Sequence, residues 1–260
     1  MCSLPRIHAE IRKRITKDQS PMKYILRPFY IIYQYLIALP LALVLTVFTS
    51  IFTICLYPWR NTEFVHKEQQ FWSKSMCRLM LLPVHVDGLE HIVPGQSYVF
   101  VSNHQSMFDV WVIYGWLPVV FKWLMKAELR KVPFVGTACK AAGHIFVSRK
   151  NAKASFESLQ LIEKQLVNGV STVIFPEGTR TKDGKLGRFK RGAFQIALDL
   201  KLPVIPISLS GCYEVMPKGA WTVHRHPIHM HVGEPIDLGR FAEPQEAIEY
   251  VREKVALNIK

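Results

Sequence analysis

From Pro28 to Trp59 the chain carries no charged residue. As one straight helix this run would reach about 48 Å, well past the ~30 Å hydrocarbon core of a bilayer. Pro40 divides it, leaving roughly ten apolar residues before the interruption and nearly twenty after it. Two arrangements satisfy that pattern. One is a single tilted span over residues 41–59; the other is a helical hairpin, kinked or broken near Pro40, that enters and leaves through the same leaflet. Basic residues flank both ends: Arg12, Lys13, Arg14 and Arg27 on one side, Arg60, Lys67, Lys74 and Arg78 on the other. Cationic flanks prefer the cytoplasmic face, which favours the hairpin. A cleavable signal peptide fits poorly, because the run is too long and lacks a small-residue cleavage site. The expected location is a membrane, on its cytoplasmic face, the inner membrane if the source is bacterial.

Lys and Arg total 33 against 20 acidic residues, a net charge of +13. Such a balance calls for anionic partners, and basic residues interleaved with amphipathic segments point to membrane lipids. No nucleic-acid-binding motif occurs, so no nucleic-acid partner is expected. Five cysteines, Cys2, Cys55, Cys77, Cys139 and Cys212, are odd in number and form no Cys-x-x-Cys pair. Reduced thiols packed as small apolar residues fit better than a disulfide framework.

Residues 62–82 read as an amphipathic helix with Phe64, Phe71, Trp72 and Leu79 among its apolar positions. Beyond it, β-branched runs alternate with helical patterns. Strands are expected at Val84–Val86, Tyr98–Ser102, Val119–Leu124, Ile145–Ser148, Thr172–Phe175 and Ile205–Leu209, with a pair at Thr222–His226 and Ile228–Val232. Helices are expected over 107–115, 134–142, 151–167, 189–200 and 244–258, the third closed by Asn168-Gly169. This alternation predicts an α/β fold, a mixed and largely parallel β-sheet flanked by helices, following an N-terminal membrane-embedded helical segment. The expected divisions are a basic tail (1–27), a membrane helix or hairpin (28–60) and one folded domain (61–260).

Two short blocks carry the chemistry. Asn103-His104-Gln105-Ser106-Met107-Phe108-Asp109 sets an imidazole and a carboxylate five positions apart, just past an apolar run. A hydroxyl becomes nucleophilic when a neighbouring base takes its proton, and a carboxylate on the second ring nitrogen fixes the tautomer. One helical turn would bring Asp109 back towards His104. Phe175-Pro176-Glu177-Gly178-Thr179-Arg180 follows another apolar run. Pro176 ends the strand, Gly178 permits a tight turn, and Arg180 could grip a phosphate in forked geometry, assisted by Thr179. No Gly-x-Ser-x-Gly elbow occurs and no cysteine lies in these blocks, which favours direct transfer over a covalent intermediate. Ser106 reads as a helix N-cap. His224, His226, His229 and His231 alternate along the chain, yet no acidic or cysteine ligand stands at a standard spacing, so no metal is expected.

The first block resembles the His-four-residues-Asp motif of the glycerolipid acyltransferases. Gly143-His144-Ile145-Phe146-Val147-Ser148-Arg149, Phe175–Arg180 and Leu202-Pro203-Val204-Ile205-Pro206 resemble the family's three later blocks in order and spacing. Lys126-Ala127-Glu128-Leu129 and Phe189-Lys190-Arg191-Gly192-Ala193 are similar to segments between them. The likeness is strongest to bacterial-type 1-acyl-sn-glycerol-3-phosphate acyltransferases and spans about residues 84–236. It implies a glycerol-3-phosphate acyltransferase-like fold and an acyltransferase domain over 61–260. Acyl-CoA or acyl-ACP (the acyl carrier protein) would serve as co-substrate, with no cofactor, and lysophosphatidate as acceptor. His104 would be the general base and Asp109 its orienting partner. Arg149, Glu177, Gly178, Thr179 and Arg180 would line the lysophosphatidate site, the arginines near phosphate and Glu177 near glycerol, with Lys126 a further phosphate or carrier contact. Other acceptors fit the same blocks: another lysophospholipid, a lyso-aminolipid or glycerol 3-phosphate. A non-catalytic membrane lipid-binding protein is the alternative of another class.

Overall fold

A computed structural model of the chain describes residues 21–56, 62–147, 166 and 168–259. Two units divide the chain, one through Leu41 and one from Ala42 onward. The first holds helix α1 (Pro21–Tyr33) and a π-turn, Gln34–Ala38, in which the Leu39 N–H reaches back to the Gln34 carbonyl. A proline lacks an N–H and its ring clashes with the carbonyl four residues earlier; a wider π-turn just ahead of Pro40 relieves that conflict. Helix α2 spans Leu39–Leu56 and includes Pro40 near its start. By length and composition the helical residues Leu26–Cys55 suffice to cross a membrane.

In the second unit, α3 (Thr62–Leu79) buries Val65, His66, Ser73, Met76 and Cys77. Of the apolar positions read from sequence, Phe64 and Phe71 are 48% and 58% exposed, while Trp72 and Leu79 are half-buried. The α2 segment of this unit lies against α3, where Trp72 Nε1–H donates to Thr46 Oγ1 at 3.0 Å and Thr53 Oγ1–H donates to Glu68 Oε2 at 2.8 Å.

A seven-stranded sheet follows, built from β1 (Val84–Asp87), β2 (Val99–Ser102), β3 (Phe121–Lys126), β4 (Ile145–Val147), β5 (Ser171–Ile174), β6 (Val204–Ser210) and β7 (Ile228–Val232). Its order is β1-β7-β6-β2-β5-β3-β4. Strands β6, β2, β5, β3 and β4 run parallel, and β7 turns antiparallel to β6 with β1 parallel beside it. Every residue of β2, β5 and β6 is buried, as strands covered on both faces require. On one face Val99, Val101, Ile174 and Val204 join α6 (Arg191–Asp199) and α8 (Pro244–Leu257) in one apolar cluster. Ala247, Ile248, Val251 and Val255 form the buried stripe of α8, at the spacing of a single helix face. On the other face Phe121 meets Tyr114 of α4 (Phe108–Trp116) and His66 of α3. Two short helices, α5 (Val135–Ala141) and α7 (Cys212–Val215), complete the unit.

The mixed, mostly parallel α/β architecture is the one the residue pattern predicts. Thr222–His226 is not a strand: β7 already has β6 and β1 as its two neighbours, so no edge beside it is left for that segment. The predicted helix at 151–167 falls outside the described residues.

Candidate active site

Because β2, β5, β3, β4 and β6 are parallel, their C-terminal ends share one edge of the sheet, the usual location of sites in open α/β sheets. His104 follows β2, Glu177 follows β5, Lys126 closes β3 and Cys212 follows β6. Asn103 fixes the end of β2 by acting as a surrogate strand residue. Its Nδ2 donates to the Leu209 carbonyl at 2.9 Å and its Oδ1 accepts the Leu209 N–H at 2.8 Å.

His104 Nδ1 lies 2.8 Å from Asp109 Oδ2. That same oxygen accepts the backbone N–H groups of Gln105 at 2.6 Å and Ser106 at 2.8 Å. Asp109 is fully buried at the start of α4, so one carboxylate oxygen closes the turn and orients the ring together. The imidazole keeps 17% of its side-chain surface exposed, which leaves it reachable from outside. Its ring stacks on Phe175 at 4.0 Å between centroids, and Phe175 stacks in turn on Trp123 at 5.5 Å. Ser106 is buried; its hydroxyl donates to the Met216 carbonyl at 2.7 Å and accepts the Phe108 N–H, the capping role read from sequence.

The Glu177–Arg180 turn is joined directly to His104. Glu177 Oε1 accepts the His104 N–H at 2.8 Å, and the Thr181 N–H donates to the His104 carbonyl at 2.9 Å. Glu177 Oε2 accepts the Gly187 N–H at 2.9 Å. Both carboxylate oxygens are thus held by backbone. Burial pushes this carboxyl above the usual range, while the two N–H bonds pull the other way. Gly178 turns the chain at φ 72° with its N–H on the Phe175 carbonyl, a conformation few residues but glycine adopt. A Cβ on Gly187 would meet Glu177 Oε2 at 2.7 Å, so a larger residue there would displace the carboxylate. From α8, Arg252 donates to the carbonyls of Gly187 and Leu186 at 3.1 and 3.3 Å, bracing the loop that holds Glu177.

Beside the turn is a groove of about 470 Å³, lined by Glu177, Thr179, Arg180, Lys185, Arg188 and Lys218 among others. Lys218 Nζ donates to Thr179 Oγ1 at 3.1 Å. The sequence-predicted His104, Asp109, Glu177, Gly178, Thr179 and Arg180 are therefore brought together. Lys126 is exposed at the sheet edge and is not among the groove's lining residues. Arg149 lies outside the described residues. Sequence reasoning missed Asn103 as a strand clamp, Gly187 and Arg252 as braces, and Lys185, Arg188 and Lys218 as groove cations. A run of cations within a glycine-punctuated loop was the available signal for the last group. It also missed Cys212, whose thiol is buried against Asp109 and pushed well up from its ordinary value by burial and that carboxylate.

Among the described residues no three His, Cys, Asp or Glu side chains are grouped to hold a metal ion. His229 stacks on His85 across the β1–β7 register at 5.0 Å, and His231 pairs with Asp87.

The Acyltransferase family profile matches residues 83–210. The crystal structure of PlsC, the 1-acyl-sn-glycerophosphate acyltransferase from Thermotoga maritima, matches with a TM-score of 0.75 and 30% identity, covering 90% of this chain and 96% of that one. Profile and structural match together place the chain in the α/β acyltransferase class. A chloroplastic 1-acyl-sn-glycerol-3-phosphate acyltransferase of Arabidopsis thaliana is 32% identical over 185 residues, 71% of this chain and 51% of the relative. The alpha enzyme of Homo sapiens is 35% identical over 166 residues, 60% of this chain and 56% of the relative. This chain thus spans about half the length of these curated relatives. It belongs to the 1-acyl-sn-glycerol-3-phosphate acyltransferase family.

Proposed function

We propose that this chain transfers a fatty acyl group from acyl-CoA or acyl-ACP to the 2-hydroxyl of 1-acyl-sn-glycerol 3-phosphate, giving phosphatidate. The observation that carries the reading is the His104–Asp109 pair set against a cationic groove. Asp109 holds Nδ1, so Nε2 is the ring nitrogen left to take the acceptor's hydroxyl proton. The alkoxide oxygen attacks the thioester carbonyl, a C–O bond forms, and collapse of the tetrahedral intermediate breaks the C–S bond. The departing thiolate recovers the proton from the imidazolium. A thiolate is a good leaving group, and Ser106 and Cys212 are both committed to buried contacts, which supports a direct transfer without an acyl-enzyme.

Arg180, with Lys185, Arg188 and Lys218 nearby, supplies the charge for the acceptor phosphate. Lys126, exposed at the end of β3, and Arg149 are the further phosphate or donor contacts. The apolar helical residues Leu26–Cys55 attach the enzyme to the membrane that holds the acceptor, on the cytoplasmic side where soluble thioesters are found. The test is an acyl-transfer assay on the purified full chain with lysophosphatidate and each donor type, read as phosphatidate by mass spectrometry. Absence of product with both donors, while another lysolipid or glycerol 3-phosphate is acylated, would overturn the acceptor assignment.

A further inference from the structure

We propose that the loops leaving β3 and β6 form a second membrane contact, separate from the N-terminal helix, with Phe134 and Trp221 inserted into an anionic leaflet. The idea builds on the reading above that the acceptor resides in a bilayer.

Strand order puts β6 and β3 on either side of the β2–β5 pair that carries His104 and Glu177. Each of these outer strands sends an exposed aromatic from the edge where the site lies. After β3 comes a 3₁₀ turn, Ala127–Lys131, then Val132-Pro133-Phe134; Leu129, Val132 and Phe134 are 42%, 41% and 51% exposed. Phe134 sits at φ 60° and ψ −57°, and the Val135 N–H bonds to the Pro133 carbonyl at 2.6 Å. This is the rare, strained form of γ-turn, here occupied by a bulky aromatic. Strain of this kind persists only where the surroundings enforce it. Here α5 does so: a Cβ on Gly136 would meet the Arg130 carbonyl oxygen at 2.3 Å, and the Gly136 N–H bonds to the Val132 carbonyl at 2.8 Å. The apolar tip is therefore held outward by a preformed backbone instead of collapsing onto the domain.

After β6 and α7 the chain runs through a loop in which Trp221 is 90% exposed. The loop is pinned near its ends: the Ser106 hydroxyl donates to the Met216 carbonyl, the His224 N–H to the Val215 carbonyl at 2.8 Å, and Arg225 Nε–H to the Leu81 carbonyl at 3.2 Å. Its first end touches the His104 block itself, since Ser106 and Pro217 form a β-bridge.

Charge decides the kind of surface. Arg130 and Lys131 stand beside Phe134, Lys218 and Arg225 beside Trp221, and Lys182 and Lys185 on the turn between them, all exposed. Against these the same loops expose Glu128, Asp183 and Glu214. The excess of cations around two protruding aromatics suits anionic phospholipid headgroups, with indole at the interface and the phenyl ring below it. A rim of this kind would hold the mouth of the site at the leaflet, where the acceptor's phosphate lies.

The test uses the full chain bound to vesicles of phosphatidylglycerol and phosphatidylcholine, with brominated acyl chains as quenchers. Trp221 emission, taken as the difference between wild type and Trp221→Phe, is expected to be blue-shifted and quenched. The emission added by Phe134→Trp in the Trp221→Phe background should behave likewise. Either emission remaining red and unquenched, as for indole in water, overturns the proposal. In kinetics, a Phe134→Ser/Trp221→Ser double variant should raise KM for vesicle-embedded acceptor about tenfold. It should leave kcat on a short-chain monomeric acceptor unchanged. Equal losses on both acceptors would also overturn it, because they would locate the effect in the site. Quenching of both probes in a chain that acylates no acceptor would retain the membrane contact and sink the enzymatic reading instead.

Discussion

Glu177 illustrates how a conspicuous charged residue can act by positioning. Its two oxygens are taken by the N–H groups of His104 and Gly187, so it ties the His104 block to the loop that carries Gly187. An amide can accept at only one end, so Glu177→Gln sets a donor against a donor and should lower kcat and the melting temperature together. Loss confined to KM for the acceptor would instead return Glu177 to direct glycerol contact. Gly187→Ala forces a methyl group into the same carboxylate and should cost about 1–3 kcal/mol by thermal unfolding. His104→Ala is different: the ring stacks on Phe175 and bonds to Asp109 Oδ2, but that oxygen keeps the Gln105 and Ser106 N–H groups when the ring is gone. Transfer should vanish with the melting temperature nearly unchanged, and near-wild-type activity in the purified variant would refute its role as base. Asp109→Asn should lose activity as well, and also stability, since Oδ2 accepts two backbone N–H groups in addition to the imidazole.

At the scale of elements, α3 shows where periodicity misleads. Phe64, Phe71, Trp72 and Leu79 read as an apolar face, yet the buried stripe is Val65, His66, Ser73, Met76 and Cys77. Two apolar stripes coexist on this helix, and although Trp72 meets Trp111 of α4 edge-on, sequence cannot say which stripe is the more buried. Met76→Ala should therefore cost about 2–5 kcal/mol in detergent, and Phe71→Ala less than about 0.5 kcal/mol. Comparable losses in chemical unfolding would mean that the faces are assigned the wrong way round. The α2–α3 contacts also bear on the boundary expected at residue 60. Thr46 and Thr53 are the partners of Trp72 and Glu68, so the second half of the apolar run is tied to the domain that follows it.

For the molecule as a whole, buried titratable groups set the response to pH. Burial and nearby positive charge hold His66 at about 4 and His144 at about 3. A histidine depressed in the folded state leaves the unfolded chain binding more protons below about pH 6.5. Stability contributed by these two residues is complete above that pH and is lost on acidification. Glu68, raised by burial to about 7, and Glu177, raised by burial as well, act in the opposite sense above about 4.5, but the two histidines are together displaced further. Melting temperature in detergent should fall as pH drops from 6.5 towards 4.5, and His144→Asn should flatten the slope. A flat wild-type profile would contradict this burial pattern.

The sequence by itself determined the α/β class, the charge-free helical run, and the two polar blocks at strand ends, down to the Ser106 hydroxyl that accepts the Phe108 N–H. These are local properties, set by periodicity, turn chemistry and a five-residue spacing that one helical turn closes. Only tertiary structure decided that two blocks more than seventy residues apart are joined, by the His104 N–H on Glu177 Oε1 and the Thr181 N–H on the His104 carbonyl, because parallel strands must align their C-terminal ends before His104 can meet Glu177. It also decided which stripe of α3 is buried, that Asn103 stands in for a strand residue, and that Arg252 braces the glutamate loop from the far end of the chain. Each of these depends on a partner distant in sequence, and no local pattern encodes the identity of that partner.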